Sequence, residues 1–463
     1  MRKILIILVL VAALGGAFLL AQNSTDQRPE VTACTKCNVI VIGFDALQAS
    51  HVHHLGYERE TTPTLDALAK EGVTFLNNYS VAPWTVPSFM SYFTSLYPAE
   101  HRLRNKYSIF TPTEQKIGHL KEGVRTLAEE FKSAGYITGG FTGDAGVLSD
   151  FGYDQGFDVY TDEQPFGSVK RSSDHALEWL DANKGKNFFM FLHGYDAHGQ
   201  FSELPENYVS PFSVDHSFEI GAPRQRELRE EGLAEGGLSV THAEEKEWIA
   251  WYDGKILEAD KKIGAFLAAL EERGLRDNTL IVVISDHGTE VFEHDRVDHG
   301  FSLYNELIHV PLIMSWPGKT LGQRVATNIR TTDLSPTLLE IVGITPSETW
   351  RNAVRGSSLL PVIVGAEKEN RPVFSETDYR EYTYKRSYLS PDNWKYIRTL
   401  ETGEEELYDL TRDPEEKNNI ASKEGERLTN MRQVLAAHLE SVGESIDMRP
   451  TVGCLPVYGD QCK

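Results

Sequence analysis

From Asn38 to Phe44 the chain reads NVIVIGF, a continuous apolar run without polar alternation. That is the pattern of a strand covered on both faces in a parallel sheet. Similar extended runs recur at Tyr136–Thr142, Asn187–His193, Thr279–Ile284 and Val310–Met314. Helical signals lie between them. Thr62-Pro63 opens a helix that Gly72 closes, Val124–Ala134 is helical up to Gly135, and Pro87-Ser88 starts a helix that runs to about Leu96 and stops before Pro98. The clearest helix spans Glu245–Arg273, where Ile249, Tyr252, Ile256, Ala259, Ile263, Phe266 and Leu270 step by three and four and form one core-facing stripe. Strands and helices in alternation predict an α/β fold built on a mostly parallel sheet flanked by helices.

The pattern changes after about residue 345. Val373–Leu410 reads as short strands and turns and Arg427–Leu439 as one helix, so residues 346–446 form a smaller C-terminal α+β subdomain beside a catalytic domain over 38–345. Glu206–Glu245 is acidic, carries glycines and lacks strong periodicity, and is taken as an insertion near the site.

At the start, Arg2 and Lys3 precede an uncharged stretch from Ile4 to Ala21, the pattern of an export signal. A spanning helix needs about 20 apolar residues, so residues 1–21 read either as a cleaved signal peptide or as an N-terminal membrane anchor. Both put the rest of the chain outside the cytoplasm, in the periplasm or extracellular space. Residues 22–37 are a linker with a Cys34-x-x-Cys37 pair, and residues 447–463 a tail carrying Cys454 and Cys462. In an oxidising compartment these four cysteines predict disulfides, with three pairings open. A four-thiolate zinc site is the competing assignment, weakened by the seven residues between Cys454 and Cys462.

Charge narrows the function. With 46 Lys and Arg against 68 Asp and Glu, the formal charge is −22, and no basic patch offsets it. Such a surface repels a polyanion, which excludes a nucleic-acid binder.

Ligands of open α/β sheets bind at the carboxyl ends of the strands. The polar residues there are Asp45, then His193 with Asp196 and His198, then Asp286 and His287. One such Asp is ordinarily a helix cap. Carboxylates and imidazoles from separate strands that converge form a mixed oxygen and nitrogen set for a divalent cation. In Ala82-Pro-Trp-Thr-Val-Pro-Ser88, Thr85 falls at the mouth of the helix that follows, where unpaired N–H groups favour an anionic oxygen. Its plainer reading is an N-cap.

At this point the residues resemble a family, the sulfatases of the alkaline phosphatase superfamily. The matching stretches are NVIVIGFDALQ (38–48), TTPTLDALAKEGVTFLNNYS (61–80), APWTVPSFMSYFTSLYP (82–98), NFFMFLHGYDAH (187–198), NTLIVVISDHG (278–288), DHGFSLYNELIHVPLI (298–313) and KYIRTLETGEEELYDLTRDPEEKNNI (395–420). The resemblance implies an alkaline-phosphatase-like fold, with Asp45, Asp286 and His287 at the metal positions and Thr85 at the nucleophile. It also implies His299 near the leaving oxygen of the ester and His198 in contact with the anionic group.

Two departures shape the chemistry. Family sulfatases oxidise a Cys or Ser to formylglycine and close that motif with Arg, whereas this chain has Thr85 and Phe89. Oxidised threonine is a ketone, so no formylglycine is expected. A threonyl sulfate lacks the aldehyde-hydrate route to sulfate release, whereas a threonyl phosphate is open to attack at phosphorus. The expected activity is therefore hydrolysis of a small phosphate mono- or diester through Thr85. The second departure is Ala46, which stands where a second Asp often follows the first, and His287, which replaces a frequent Asn. One metal ion is expected, with manganese or zinc favoured over calcium, and Asp196, His198 and His299 form a candidate second site. Competing readings are sulfate-ester hydrolysis without formylglycine, transfer of a phosphorylated headgroup, and a catalytically inactive binding protein.

Overall fold

The computed structural model describes residues 34, 36–106, 118–163, 166–198, 208–218, 220–233, 238, 240–316 and 322–453. The expected export segment and Cys454 and Cys462 lie outside these. Cys34 and Cys37 are joined by a disulfide. That removes two of the four thiolates a zinc site would need.

The main sheet has eight strands: β1 (Asn38–Phe44), β2 (Val73–Phe75), β3 (Ile137–Phe141), β4 (Val159–Thr161), β5 (Phe188–Gly194), β6 (Thr279–Ser285), β7 (Leu312–Ser315) and β8 (Gln323–Val325), in the spatial order β8-β2-β7-β6-β1-β5-β3-β4. Only β7 runs against its neighbours. β1 lies between β5 and β6, and every one of its residues is buried, which is why its sequence shows no alternation.

Helices cover both faces. The longer ones are α1 (Pro63–Glu71), α2 (Thr85–Thr94), α3 (Val169–Ala182), α5 (His242–Glu272) and α6 (Leu334–Val342), with α4 (Ala222–Leu233) in the insertion and α7 (Gly425–Ser441) in the second domain. Val39 and Val41 of β1 share a core with Phe89 and Phe93 of α2 and Leu338 of α6. Ile40 and Ile42 face the other way, onto Leu65 of α1, Ala176 and Leu180 of α3, and Ile256, Ile263 and Phe266 of α5. Six of the seven residues of the stripe read from the sequence of α5, from Tyr252 to Leu270, are buried, whereas Ile249 near its start is half-buried. The Thr241 hydroxyl caps its start by accepting from Glu244 N–H at 3.2 Å.

The mostly parallel α/β architecture and the smaller second domain agree with the sequence. Two local features do not. α2 begins at Thr85, two residues before Pro87, with Trp84 as its N-cap, so Thr85 is the first helical residue rather than a cap. The acidic insertion contains α4, which has no amphipathic stripe to announce it. That helix is held through Leu228, packed in a small cluster with Trp248, Phe292 and Val297.

The second domain is an antiparallel meander of β9 (Val373–Thr377), β10 (Lys385–Leu389), β11 (Trp394–Thr399) and β12 (Glu405–Asp409). Met431, Leu435 and Leu439 of α7 pack on Tyr388, Tyr396 and Leu407. A buried charge network locks this domain to the first: Arg386 meets Asp378 at 2.7 Å and Glu444 at 2.9 Å, and Arg104 meets Asp378 at 2.7 Å. Immediately after Asp378, the turn Tyr379–Glu381 brings the Tyr379 ring 5.1 Å from Trp84 and 6.4 Å from His299, with Arg380 and Glu381 in the left-handed region at φ 48° and 60°.

Candidate active site

β1 delivers Asp45, β5 delivers His193, and β6 delivers Asp286 and His287, all at one edge of the sheet. The N-terminus of α2 brings Thr85 to the same point. Gly43 makes this possible, because a Cβ there would stand 2.9 Å from the Phe89 ring of α2.

The Thr85 Oγ1 lies 3.3 Å from Asp45 Oδ2 and 3.3 Å from His287 Nε2. Asp286 Oδ1 accepts from the N–H groups of Ala46 (3.2 Å) and His287 (2.9 Å), which turns Oδ2 toward His287 Nε2 at 3.3 Å. His287 Nδ1 donates to the Gly288 carbonyl at 2.6 Å, leaving the Nε2 lone pair facing the carboxylates. Burial, reinforced by the His299 ring, pushes His287 down to about 3, so it stays neutral. Burial and then the Asp45 charge push Asp286 well up. Burial also opposes ionisation of Asp45, but the surrounding imidazoles of His198, His193 and His287 outweigh it and hold that carboxyl low.

This donor set suits a divalent cation. Asp45, Asp286 and His287 each offer a ligand atom, all within 4.8 Å of one another. Asp45 Oδ1 and Asp286 Oδ2 are buried without a hydrogen-bond partner among the described residues. Two buried carboxylates this close carry a large desolvation cost that a cation relieves. Ala46, at the position of the missing second carboxylate, adopts φ 62° and contributes only its N–H.

His198 Nε2 stands 3.9 Å from Asp45 Oδ1, and burial pushes this imidazole down to about 4. His299 lies 4.4 Å from the His287 ring, tilted by 37°, and 5.0 Å edge-on from His198, with Nδ1 held by Asp298 Oδ1 at 2.8 Å. Asp196 does not join them. Its carboxylate accepts from Ser168 Oγ (2.7 Å) and Val169 N–H (2.6 Å) at the start of α3 and pairs with Lys262 at 2.5 Å. Asp196 is a helix-cap acceptor, and the expected second metal set of Asp196, His198 and His299 is not assembled.

The site also contains groups that received no role from the sequence. His193, visible there only as a strand-end imidazole, is fully buried with neither ring nitrogen hydrogen-bonded among the described residues, and its Nε2 is 3.7 Å from Asp45 Oδ2. Lys106 donates to the Ala145 carbonyl and is pushed by burial down to about 8. Lys255 of α5 donates to the His198 carbonyl and is pushed by burial down to about 7. Nothing local in the sequence marks either lysine, since each arrives from a segment remote from the strand ends.

The sequence model of the Sulfatase family matches residues 37–344. The chain belongs to the sulfatase family. A second model, described as N-sulphoglucosamine sulphohydrolase, C-terminal, matches residues 292–444. Among curated relatives, the Delta 4,5-hexuronate-2-O-sulfatase of Bacteroides thetaiotaomicron is 27% identical over 424 residues, covering 83% of this chain and 85% of the relative. Among solved structures, a 2-O GAG sulfatase superposes with a TM-score of 0.71 at 24% identity, covering 91% of this chain and 95% of the other. A phosphonate monoester hydrolase of Agrobacterium radiobacter gives 0.67 at 22%, covering 88% and 95%. Membership makes this protein an ester hydrolase of the sulfatase and alkaline phosphatase superfamily. Within the sulfatase frame, Phe89 replaces the expected Arg and is a core residue, packed against Phe191 at 5.4 Å and His193 at 5.1 Å.

Proposed function

We propose that this protein is an exported, metal-dependent hydrolase of small anionic esters in which Thr85 is the nucleophile and a phosphate-type ester is the preferred substrate. The observation that carries the reading is Thr85 Oγ1 at 3.3 Å from both Asp45 and His287, at the N-terminus of α2. A divalent cation held by Asp45, Asp286, His287 and the Thr85 oxygen would supply the charge that keeps Thr85 an alkoxide and polarises the ester oxygens.

Thr85 Oγ1 attacks phosphorus, forming the threonyl–phosphorus ester bond as the bond to the leaving alcohol breaks. His299, its Nδ1 engaged by Asp298, presents Nε2 to the departing oxygen and gives up a proton. Neutral His299 then takes a proton from the attacking water, and the P–O bond to Thr85 breaks. His198 and Lys106 are assigned to the non-bridging oxygens, where donors matter most as charge develops.

Export rests on Arg2, Lys3 and the apolar run to Ala21. The net charge of −22 favours small esters over polyanions, since a bound cation would make only the pocket locally positive.

Sulfate-ester hydrolysis is the second reading, favoured by relatives that are named sulfatases. A panel of 4-nitrophenyl sulfate, phosphate monoester, phosphate diester and phosphonate monoester, with Thr85→Ala alongside, separates the two. Phosphate-type turnover abolished by Thr85→Ala supports the first. Sulfate turnover that survives Thr85→Ala supports a metal-activated water and overturns the threonine mechanism.

A further inference from the structure

Among the described residues of the insertion, Arg229 reaches the site. Arg229 of α4 places its Nε 3.2 Å from Asp298 Oδ2, while Asp298 Oδ1 holds His299 Nδ1 at 2.8 Å. The three groups form a line, guanidinium to carboxylate to imidazole, that ends beside the His287 and His198 rings. Asp298 and His299 are buried, and the half-buried Arg229 guanidinium lies 5.7 Å over the Phe301 ring and donates to Tyr379 Oη at 3.4 Å.

The backbone is committed to this arrangement. Asp298 has φ 86°, a left-handed conformation that is strained for a non-glycine residue. Gly300 follows at φ 97°, where a Cβ would stand 2.5 Å from the Tyr379 ring. The turn thus aims the Asp298 carboxylate at His299 and leaves its second oxygen to Arg229. An isolated carboxylate at this depth would tend to take up a proton and lose its preference for an N–H partner. A guanidinium on the other oxygen keeps it an acceptor.

We infer that Arg229 and Asp298 are positioning residues that hold His299 with Nδ1 protonated and Nε2 directed at the leaving-group oxygen, so that the α4 insertion sets how well the enzyme expels poor leaving groups. The inference deepens the proposed hydrolase reading and rests on it for its kinetic consequence. The orientation of His299 itself does not.

The test combines leaving-group kinetics with a direct view of the ring on the metal-loaded, full-length protein. A series of aryl and alkyl esters is hydrolysed by wild type, Arg229→Gln, Arg229→Lys and Asp298→Asn. General-acid assistance contributes roughly 10²- to 10⁴-fold and matters most for poor leaving groups. For Arg229→Gln we expect kcat/KM on the 4-nitrophenyl ester to change less than about threefold, and on alkyl esters to fall roughly 10- to 100-fold. Arg229→Lys restores part of the alkyl rate. An equal loss on every ester means that Arg229 only docks α4, and overturns the inference.

The second measurement is the 15N spectrum of histidine side chains, with the His299 signals identified by their loss in His299→Gln. The wild type is expected to show Nδ1 protonated and Arg229→Gln a mixture of tautomers. An unchanged signal overturns the inference whichever ester the enzyme hydrolyses. Failure of the hydrolase reading is a different result, namely no turnover of any phosphate or sulfate ester, or turnover that ignores Thr85→Ala.

Discussion

Gly146 lies so close to Thr85 that a Cβ added to it would stand 2.5 Å from Thr85 Cγ2 and 2.8 Å from Thr85 Cβ. The Gly146 N–H donates to Tyr195 Oη at 2.6 Å, so the loop cannot simply retreat. Its lack of a side chain leaves Thr85 its rotamer.

Gly146→Ala should therefore lower kcat more than about tenfold while destabilising the fold by only ~1–3 kcal/mol, the usual cost of overpacking. Thr85→Ser, which removes Cγ2, should recover part of that loss. The check is a double-mutant cycle on kcat and on urea midpoints, with a coupling term favouring the pair. Additive losses would place the Gly146 effect elsewhere.

Trapping the intermediate is a second test. Mass spectrometry after acid quench of a phosphate-ester reaction should find one phosphoryl group on Thr85, absent from Thr85→Ala, whose kcat should drop by roughly 10³-fold or more. Thr85→Ser should still be phosphorylated. Steady-state turnover with no acid-stable adduct in any variant would point to direct attack by water.

Metal binding should stabilise the protein, by about 2.7 kcal/mol at a hundredfold excess over Kd. Chelation should lower Tm and abolish turnover, and manganese or zinc should restore both. Asp286→Asn offers the sharper contrast, because the neutral amide removes the like-charge neighbour of Asp45. That variant should lose the metal-dependent rise in Tm, yet in chelator be at least as stable as chelated wild type. Calorimetry with and without metal decides the point.

His101 predicts a pH dependence of stability independent of catalysis. Its Nδ1 accepts from Leu103 N–H at 3.1 Å and its Nε2 meets Ser91 Oγ at 3.0 Å, the pattern of a neutral imidazole. Burial, aided by the Arg104 charge, pushes it from 6.5 down to about 3. The unfolded chain takes up this proton below pH 6.5 and the folded chain does not. Its contribution is complete above pH 6.5 and is lost as pH falls toward 3, by up to ~1.4 kcal/mol per pH unit. In urea titrations between pH 4 and 8, His101→Gln should flatten that slope by about one proton. An unaltered slope would count against a buried neutral His101.

The strand ends were legible in the sequence because burial on both faces removes polar alternation, so Asp45, Asp286 and His287 stand out as the first polar residues after NVIVIGF and TLIVVIS. Thr85 was visible through its prolines. Asp196 was misleading for the same reason that the others were informative: a polar residue after a strand is as readily the cap of the next helix as a ligand, and only the positions of Ser168 and Val169 decide. α4 escaped because its fixed contacts depend on Leu228 rather than on a stripe. Lys106 and Lys255 converge from opposite sides of the sheet through contacts that leave no local pattern.

The rim and the floor of the pocket come from different stretches of chain. Asp45, Asp286, His287 and Thr85 are fixed by the central sheet and the start of α2, whereas Tyr379 is carried by the second domain and Arg229 by the insertion. The rim can therefore be rebuilt by exchanging two peripheral segments while the floor stays as it is. Kinship judged on the sheet thus says little about which molecules the pocket admits, and grafting those two segments between relatives is the direct way to move selectivity, provided the graft keeps an arginine on Asp298.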